Sequence, residues 1–302
     1  MKLYNLGRVS WWESQCYYHA LAYLGREGLI ICSPTSAYVC LGLHDDLKSE
    51  IAVDYCQKKN IPLLRRETGG GVVYLDSNQV FYQMVLRRDN PLLPLQRGRF
   101  YPYFLKPAIL TYRKLGIPAQ LHAPADITVK GRKCSGNAAG DIGESVAYVG
   151  NILLDFDYER MSRVLQIPCP EVQPFLNWSM QLYMTTIKDW LDYIPGYQEI
   201  AGMLVEGFSQ TLGELYPAEL DLEVIEVAAK LYTKLTGSKW LSLPGRKQQQ
   251  RRIKIAEGVY LEEDAQMDER STFALNDNGE VMATFSFTDK SLYQLQQIMS
   301  QP

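Results

Sequence analysis

Two clusters in this 302-residue sequence place charge beside unusual backbone freedom. The first is Leu63-Leu64-Arg65-Arg66-Glu67-Thr68-Gly69-Gly70-Gly71-Val72-Val73-Tyr74-Leu75-Asp76, where three consecutive glycines follow two arginines. Glycine is used where the backbone needs positive φ or where another molecule approaches closely. Arginine beside such a loop grips a carboxylate or phosphate with two parallel hydrogen bonds. The stretch reads as an anion-cradling turn between two strands, against the blander reading of a flexible turn. The second cluster is Gly131-Arg132-Lys133-Cys134-Ser135-Gly136-Asn137-Ala138. It begins at the turn of a hairpin and runs into a loop of small residues, where an isolated Lys133 reads as a solvated turn charge.

The remaining reactive residue types are scattered. Cys16, Cys32, Cys40, Cys56, Cys134 and Cys169 contain no Cys-x-x-Cys pair. They suit reduced, mostly buried thiols better than a disulfide framework or a zinc site. His19, His44 and His122 show no metal-ligand spacing. A formal net charge of −3 argues against a surface that coats nucleic acid. No apolar run approaches a membrane span, and Met1 to Asn5 opens without the apolar core of a signal peptide. A cytoplasmic protein without nucleic-acid or membrane partners is expected.

The elements that must position the two clusters follow from periodicity. Helices are expected over Ser14 to Tyr23, Leu47 to Lys58, Phe100 to Leu115, Tyr158 to Leu165 and Thr185 to Leu215. Strands are expected over Gly28 to Cys32, Ala37 to Gly42, both flanks of the glycine triplet, Gln79 to Leu86 and Ser145 to Phe156. Asp126 to Val129 and Arg132 to Cys134 form a hairpin with Lys130-Gly131 at its turn. Residues 89 to 99 read as a Pro-rich linker. Strands and helices interleave without strict alternation, so the fold class is α+β, a mixed β-sheet flanked by helices. The chain divides into a main domain, 1–245, and a small C-terminal α+β accessory domain, 246–302. Arg246 to Arg252 is a basic connector, and strands at 253–255, 272–275 and 280–285 precede a closing helix at 290–299.

Taken together, the clusters match a known pair of motifs. Arg65-Arg66-x-Thr68-Gly69-Gly70-Gly71-x-Val73 resembles the RRxTGGGxVxHD signature of the lipoate–protein ligase A family, in the biotin/lipoate ligase superfamily. The Lys133 cluster resembles its GxKxSGxA lysine loop. The Val39-Cys40-Leu41-Gly42 strand and the Leu231 to Trp240 stretch also fall in family order. The resemblance implies that ATP activates lipoate or octanoate to an acyl-adenylate, and that the acyl group then passes to a carrier lysine. It implies apo lipoyl domains as partners, those of 2-oxoacid dehydrogenase acyltransferase subunits or the glycine-cleavage H protein. The chemical barrier is charge, because a carboxylate must attack an anionic phosphate. Lys133 is implied as the catalytic cation. Arg66, Gly69, Gly70, Gly71, Val72, Val73 and Tyr74 are implied to hold nucleotide and acyl-adenylate, with Ser135, Gly136, Asn137 and Ala138 from the lysine loop. Asp126 is implied beside the nucleotide and its Mg2+. Val72, Val73 and Phe81 suit an apolar acyl wall, and Asp76 reads as a strand-end cap.

The sequence departs from the pattern at three places. Leu75 stands where the signature has histidine, Val149-Gly150 replaces a later His-Gly, and His44-Asp45 ends the early strand. The rival reading is an octanoyltransferase, which moves octanoyl between carriers without ATP and uses a cysteine nucleophile. In one branch that cysteine precedes an Ala-Pro, and here His122-Ala123-Pro124 occupies the place. Cys134 adjoins the lysine at a position normally packed inward. A non-catalytic lipoyl-domain-binding member is the reading from another class, while the GRGRxxRxW loop of biotin ligases is absent.

Overall fold

The computed structural model describes residues 1–93, 100–168, 170–246, 251–264 and 272–286. In chain order it runs β1 (Lys2–Val9), α1 (Glu13–Tyr23), β2 (Gly28–Pro34), β3 (Tyr38–Leu41), α2 (Leu47–Glu50), α3 (Val53–Lys58), β4 (Leu63–Arg65), β5 (Val73–Leu75) and β6 (Gln79–Arg87). Helices α4 (Phe100–Phe104) and α5 (Lys106–Lys114) lead to β7 (Gln120–His122), β8 (Asp126–Val129), β9 (Arg132–Ser135), β10 (Asn137–Ile142) and β11 (Ser145–Leu153). Then come α6 (Tyr158–Val164), α7 (Val172–Tyr183), α8 (Tyr197–Leu212), β12 (Tyr216–Pro217), α9 (Leu222–Thr236) and α10 (Ser238–Leu241). The last described strands are β13 (Arg252–Ala256), β14 (Val259–Asp264), β15 (Thr272–Asp277) and β16 (Glu280–Ser286).

The main sheet has the order β10-β11-β6-β2-β1-β12. Strands β12, β1 and β2 are parallel, and β2, β6, β11 and β10 are antiparallel. β2 is buried along its whole length, as a central strand covered on both faces must be. Period-two alternation then sorts β6. Val80, Tyr82, Met84 and Leu86 pack with residues of α5 and α8 such as Ala108, Tyr112, Leu204 and Phe208. Phe81 and Val85 pack with α1 and the three-stranded sheet β4-β3-β5. Helix α1 is therefore sandwiched, and every residue from Ser14 to Ala22 is buried. The far face of the small sheet, with Val39, Leu41 and Tyr74, packs on Cys56 of α3 and Val164 of α6. β13 to β16 form a separate sheet whose Ile253, Ile255, Val259 and Leu261 pack on Phe175, Leu176 and Met180 of α7.

This is the mixed sheet with flanking helices that the pattern implied, with several differences in detail. The small-residue stretch after Ser135 is an edge strand, β10, rather than a loop. Its small residues admit the glycine triplet, since a Cβ on Gly140 would lie 2.9 Å from Thr68 Cα. The expected helix 185–215 is a 3-10 turn at Ile187–Asp189 followed by α8, separated at Pro195-Gly196. The helix at 47–58 divides at Ile51, which leaves helical geometry to bridge Leu165. The helix at 100–115 divides at Leu105, just ahead of Pro107. The strand from Ser145 ends at Leu153. β1, β7, α7, α9 and β14 had no counterpart in the pattern reading. The closing helix at 290–299, Cys169 and most of the 246–252 connector lie outside the described residues. Of that connector, Arg251 pairs with Glu50 at 2.7 Å in a largely buried contact.

Candidate active site

The β8–β9 hairpin presents the lysine. Its two turn residues have positive φ, Lys130 at 49° and Gly131 at 80°, the geometry that matches strand twist in a two-residue turn. The hairpin brings Lys133 Nζ to 2.8 Å from Asp126 Oδ1, with the lysine side chain 18% and the carboxylate 6% exposed. Asp126 Oδ2 accepts a second hydrogen bond, from the Glu257 amide just after β13, at 2.7 Å. Below the lysine, the Tyr112 hydroxyl donates to the Cys134 carbonyl and accepts from the Leu153 amide. The Thr185 amide donates to the Lys133 carbonyl at 2.8 Å. Each bond fixes main chain rather than Nζ, so the ammonium is free to be aimed by Asp126.

A buried polar knot fixes the residues after the lysine. Tyr82 and Tyr148 hydroxyls donate to Asn137 Oδ1 at 2.8 and 3.1 Å, and Asn137 Nδ2 donates to the Ala125 carbonyl. Ser135 Oγ donates to the Asn151 carbonyl, while Asn151 Oδ1 accepts from the Gly136 amide at 2.7 Å. Gly150 makes room for this knot, because a Cβ there would lie 2.4 Å from both Asn137 Oδ1 and the Tyr82 hydroxyl.

The glycine triplet lies opposite. Arg66 does not extend into solvent: Nη2 donates to the Gly69 and Gly71 carbonyls at 2.7 and 2.9 Å, and Nη1 donates to the Cys40 carbonyl at 3.2 Å. Turning those carbonyls toward the guanidinium sets the course of the loop amides. Gly70 has φ of 89°, and its carbonyl lies where a Cβ on Gly42 would sit, at 1.8 Å. That close approach explains the glycine ending Val39-Cys40-Leu41-Gly42. Arg65 faces away and is fully buried, donating to the carbonyls of Leu43, Asp45, Leu241 and Leu243. Trp240 Nε1 donates to the Arg65 carbonyl, and Lys234 pairs with Glu67 at 2.5 Å. The stretch from Lys234 to Leu243 thus ties down the arginine pair. His19 holds the loop from the other side: its Nε2 accepts from the Glu67 amide and its Nδ1–H donates to the Gln15 carbonyl.

Between hairpin and triplet lies a cleft of about 250 Å³. Arg66, Gly70, Gly71, Val72, Val73, Tyr74, Asp126, Lys133, Gly136, Asn137 and Ala138 all line it. Two of the sequence candidates do not: the Gly69 amide is bonded to the Ala139 carbonyl, and Ser135 is buried beneath the knot. Phe81, Leu75 and Val149 form part of the apolar wall, so both departures from the histidine pattern face the cleft. Asp76 caps its turn as expected, accepting from the Asn78 amide. Pattern reading missed Met161, Met180 and Met184 on the outer wall, Gln15 and Gln83 within, and Lys254 and Glu257 from beyond β12. For Met180 the signal was present, since Val172, Leu176, Ser179 and Met180 recur at helical spacing on one buried face. Lys254 and Glu257 carried no signal, because only the docking of β13 on α7 brings them here.

The thiols separate clearly. Cys134 is packed inward, its thiol pushed up to about 12 by burial. Cys40 lines the cleft; burial raises its thiol too, and Arg66 beside it offsets part of that rise. Among the described residues no group of three His, Cys, Asp or Glu side chains could hold a metal ion. Asp126 is a single carboxylate already engaged by Lys133 and Glu257. The residues therefore fit Mg2+ only as an ion carried in by phosphates, the usual way Mg2+ is bound with nucleotides.

Comparison with known proteins identifies the family and the fold. The family model of the lipoyl protein ligase A/B catalytic domain matches residues 12–209. Octanoyltransferase LipM of Kyrpidia tusciae is 26% identical over 223 residues, covering 66% of this chain and 81% of that protein. Lipoate–protein ligase 2 of Staphylococcus aureus is 32% identical over 136 residues, covering 45% of this chain and 38% of that protein. Among solved structures, the bipartite lipoate protein ligase of Thermoplasma acidophilum aligns with a TM-score of 0.71 at 22% identity, over 82% of this chain and 98% of that one. A lipoate-protein ligase A bound with ATP aligns with a TM-score of 0.65 at 21% identity, over 80% and 98%.

Proposed function

The chain belongs to the lipoyl protein ligase A/B catalytic family, and from that premise we propose that it is an ATP-dependent lipoate–protein ligase. The observation that carries the proposal is the cleft itself. A lysine whose ammonium is aimed by Asp126 and glycine main chain form its head, and apolar side chains form its body. In the first half-reaction a carboxylate oxygen of lipoate or octanoate attacks the α-phosphorus of ATP. The bond to pyrophosphate breaks, leaving an acyl-adenylate. In the second, the carrier lysine amine attacks the acyl carbonyl, AMP departs, and the amine loses a proton. Lys133 supplies positive charge to the oxygens in both steps, where developing charge is strongest. Asp126 aims Lys133, and Arg66 acts through the loop by holding the Gly69 and Gly71 carbonyls away from the phosphates. The Gly70, Gly71 and Gly136 main chain admits phosphate closely because no Cβ intervenes. Val72, Val73, Phe81 and Leu75 take the acyl chain, with Tyr74, Asn137 and Ala138 completing the walls. ATP with its Mg2+ and an apo lipoyl domain are the co-substrates, and the described free, buried thiols suit a reducing cytoplasm. The accessory unit 246–302 belongs to this proposal as the source of Lys254 and Glu257.

Octanoyl transfer without ATP is the second reading. It is favoured by the octanoyltransferase relatives and by Cys40, which lines the cleft. One assay separates the two. Full-length protein is mixed with apo lipoyl domain and either free octanoate plus ATP and Mg2+ or octanoyl carrier alone, and carrier mass is followed. The ligase reading expects ATP-dependent acylation reduced at least about a hundredfold in Lys133→Ala, the scale of losing one oxyanion donor. ATP-independent transfer lost in Cys40→Ser establishes the transferase instead. No product from either donor, with binding of the lipoyl domain retained, leaves a binding protein.

A further inference from the structure

Gln83 is, with Gln79 and Asn151, one of the buried polar residues on the face of the main sheet that carries Phe81. It is 2% exposed, lines the cleft, and shares that face of the main sheet with Phe81, Val85 and Ala147. Its Nε2 donates to the Ser14 carbonyl at 2.6 Å, which fixes the amide orientation because the reversed amide would set two acceptors together. The oxygen Oε1 is consequently an acceptor, and among the described residues nothing donates to it. A buried acceptor without a donor is costly, and natural interiors avoid it.

Its position along the sheet identifies what end of a ligand it meets. Register pairs Phe81 with Asn151 and Gln83 with Val149, so both pairs face the same side. Asn151 holds the Gly136 amide of the lysine loop, which marks the head of the cleft. Gln83 is two residues deeper, about 7 Å along the strand. Beyond it Val85, Ala147, Tyr18 and Leu21 close the core. At the same depth Gln15 and Cys40 also line the cleft, but Gln15 is satisfied by the Tyr38 and Tyr18 hydroxyls.

Resting on the reading that this cleft binds a medium-chain acid by its carboxylate at Lys133, we infer that Gln83 selects acids whose distal end carries a hydrogen-bond donor. A terminal hydroxyl or thiol fits; a plain alkyl end leaves Oε1 unpaired, and so does a cyclic disulfide, which has no S–H. A site that hydrogen-bonds a substrate group discriminates against the analogue lacking it far more than an apolar wall discriminates by size.

The test is calorimetric binding of octanoate, 8-hydroxyoctanoate, 8-mercaptooctanoate under reductant and oxidised lipoate to the full chain, with wild type and Gln83→Leu. Wild type is expected to bind the hydroxyl and thiol acids at least about tenfold more tightly than octanoate, the scale of one buried hydrogen bond. Gln83→Leu, near in volume, is expected to reverse the order. Equal affinity for all four acids overturns the selectivity while leaving the acid site standing. Failure of every acid to bind, with or without ATP, overturns the selectivity together with the reading of the cleft. If Gln83→Leu does not give a cooperative melt, the wild-type affinity series decides alone.

Discussion

Replacing Gly42 with alanine should disable the cleft although residue 42 does not line it. An ideal Cβ at this position would lie 1.8 Å from the Gly70 carbonyl oxygen and 2.9 Å from its carbon, both main-chain atoms. Ordinary contact begins near 3.4 Å, so the carbonyl must retreat by roughly 1.6 Å or Gly42 must move as far. Neither is easy. The Gly42 amide donates to Asp45 Oδ2 at 2.9 Å, and Gly70 lies between the two carbonyls that Arg66 grips. Overpacking of this kind costs about 1–3 kcal/mol in stability. Under the ligase reading this loop faces phosphate, and displacing a substrate-positioning loop by about 1 Å costs on the order of a hundredfold in rate. Gly42→Ala is therefore expected to melt only a few degrees lower yet to acylate the carrier at least about thirtyfold more slowly. Carrier mass against time, with a thermal melt alongside, reads both quantities. A variant that acylates within about twofold of wild type and melts unchanged would refute the claim that the Gly42–Gly70 contact sets the loop.

Two further predictions concern what holds the arginine pair. His19 is fully buried and neutral, its imidazole pushed down to about 4 mainly by burial, against an ordinary value of 6.5. A lowered folded value means the unfolded chain binds the proton first, so the contribution of His19 to stability is constant above pH 6.5 and falls as the pH drops toward 4, by roughly 3 kcal/mol over that window. Urea unfolding at pH 7 and pH 4.5 should show that loss, and His19→Gln should flatten it; an unchanged pH slope in the variant would assign the loss to other groups. Arg65→Met leaves the carbonyls of Leu43, Asp45, Leu241 and Leu243 without their donor and should cost at least about 3 kcal/mol in urea unfolding. A loss below about 1 kcal/mol would mean that water replaces the guanidinium.

Much of the site was legible because local chemistry wrote it. The glycine triplet, the Lys130-Gly131 turn and the lysine two residues later are short-range patterns, and the turn type alone brings Lys133 back toward Asp126. Arg66 was legible as a cation but not as the clamp of its own loop, since that depends on where Cys40 falls on β3. The role of Arg65 was not legible, since its partners are carbonyls up to 178 residues away, which no local pattern reveals. β1 was missed because its polar and small residues hide the alternation, and its pairing with β2 shifts register between Asn5 and Gly7. α7 was missed because Pro174 interrupts its periodicity, although a proline in the first turn removes no helical hydrogen bond. β10 read as a loop because its Gly and Ala content answers to the packing of the glycine triplet rather than to strand propensity.

The central claim is that this cleft activates a free acid with ATP. Its most direct measurement is the mass of apo lipoyl domain after incubation with the full-length protein, free octanoate and Mg2+, with and without ATP. An octanoyl mass gain is expected only when ATP is present and the protein carries Lys133. No octanoyl mass gain from free octanoate with ATP present, or an equal gain when ATP is left out, would contradict it.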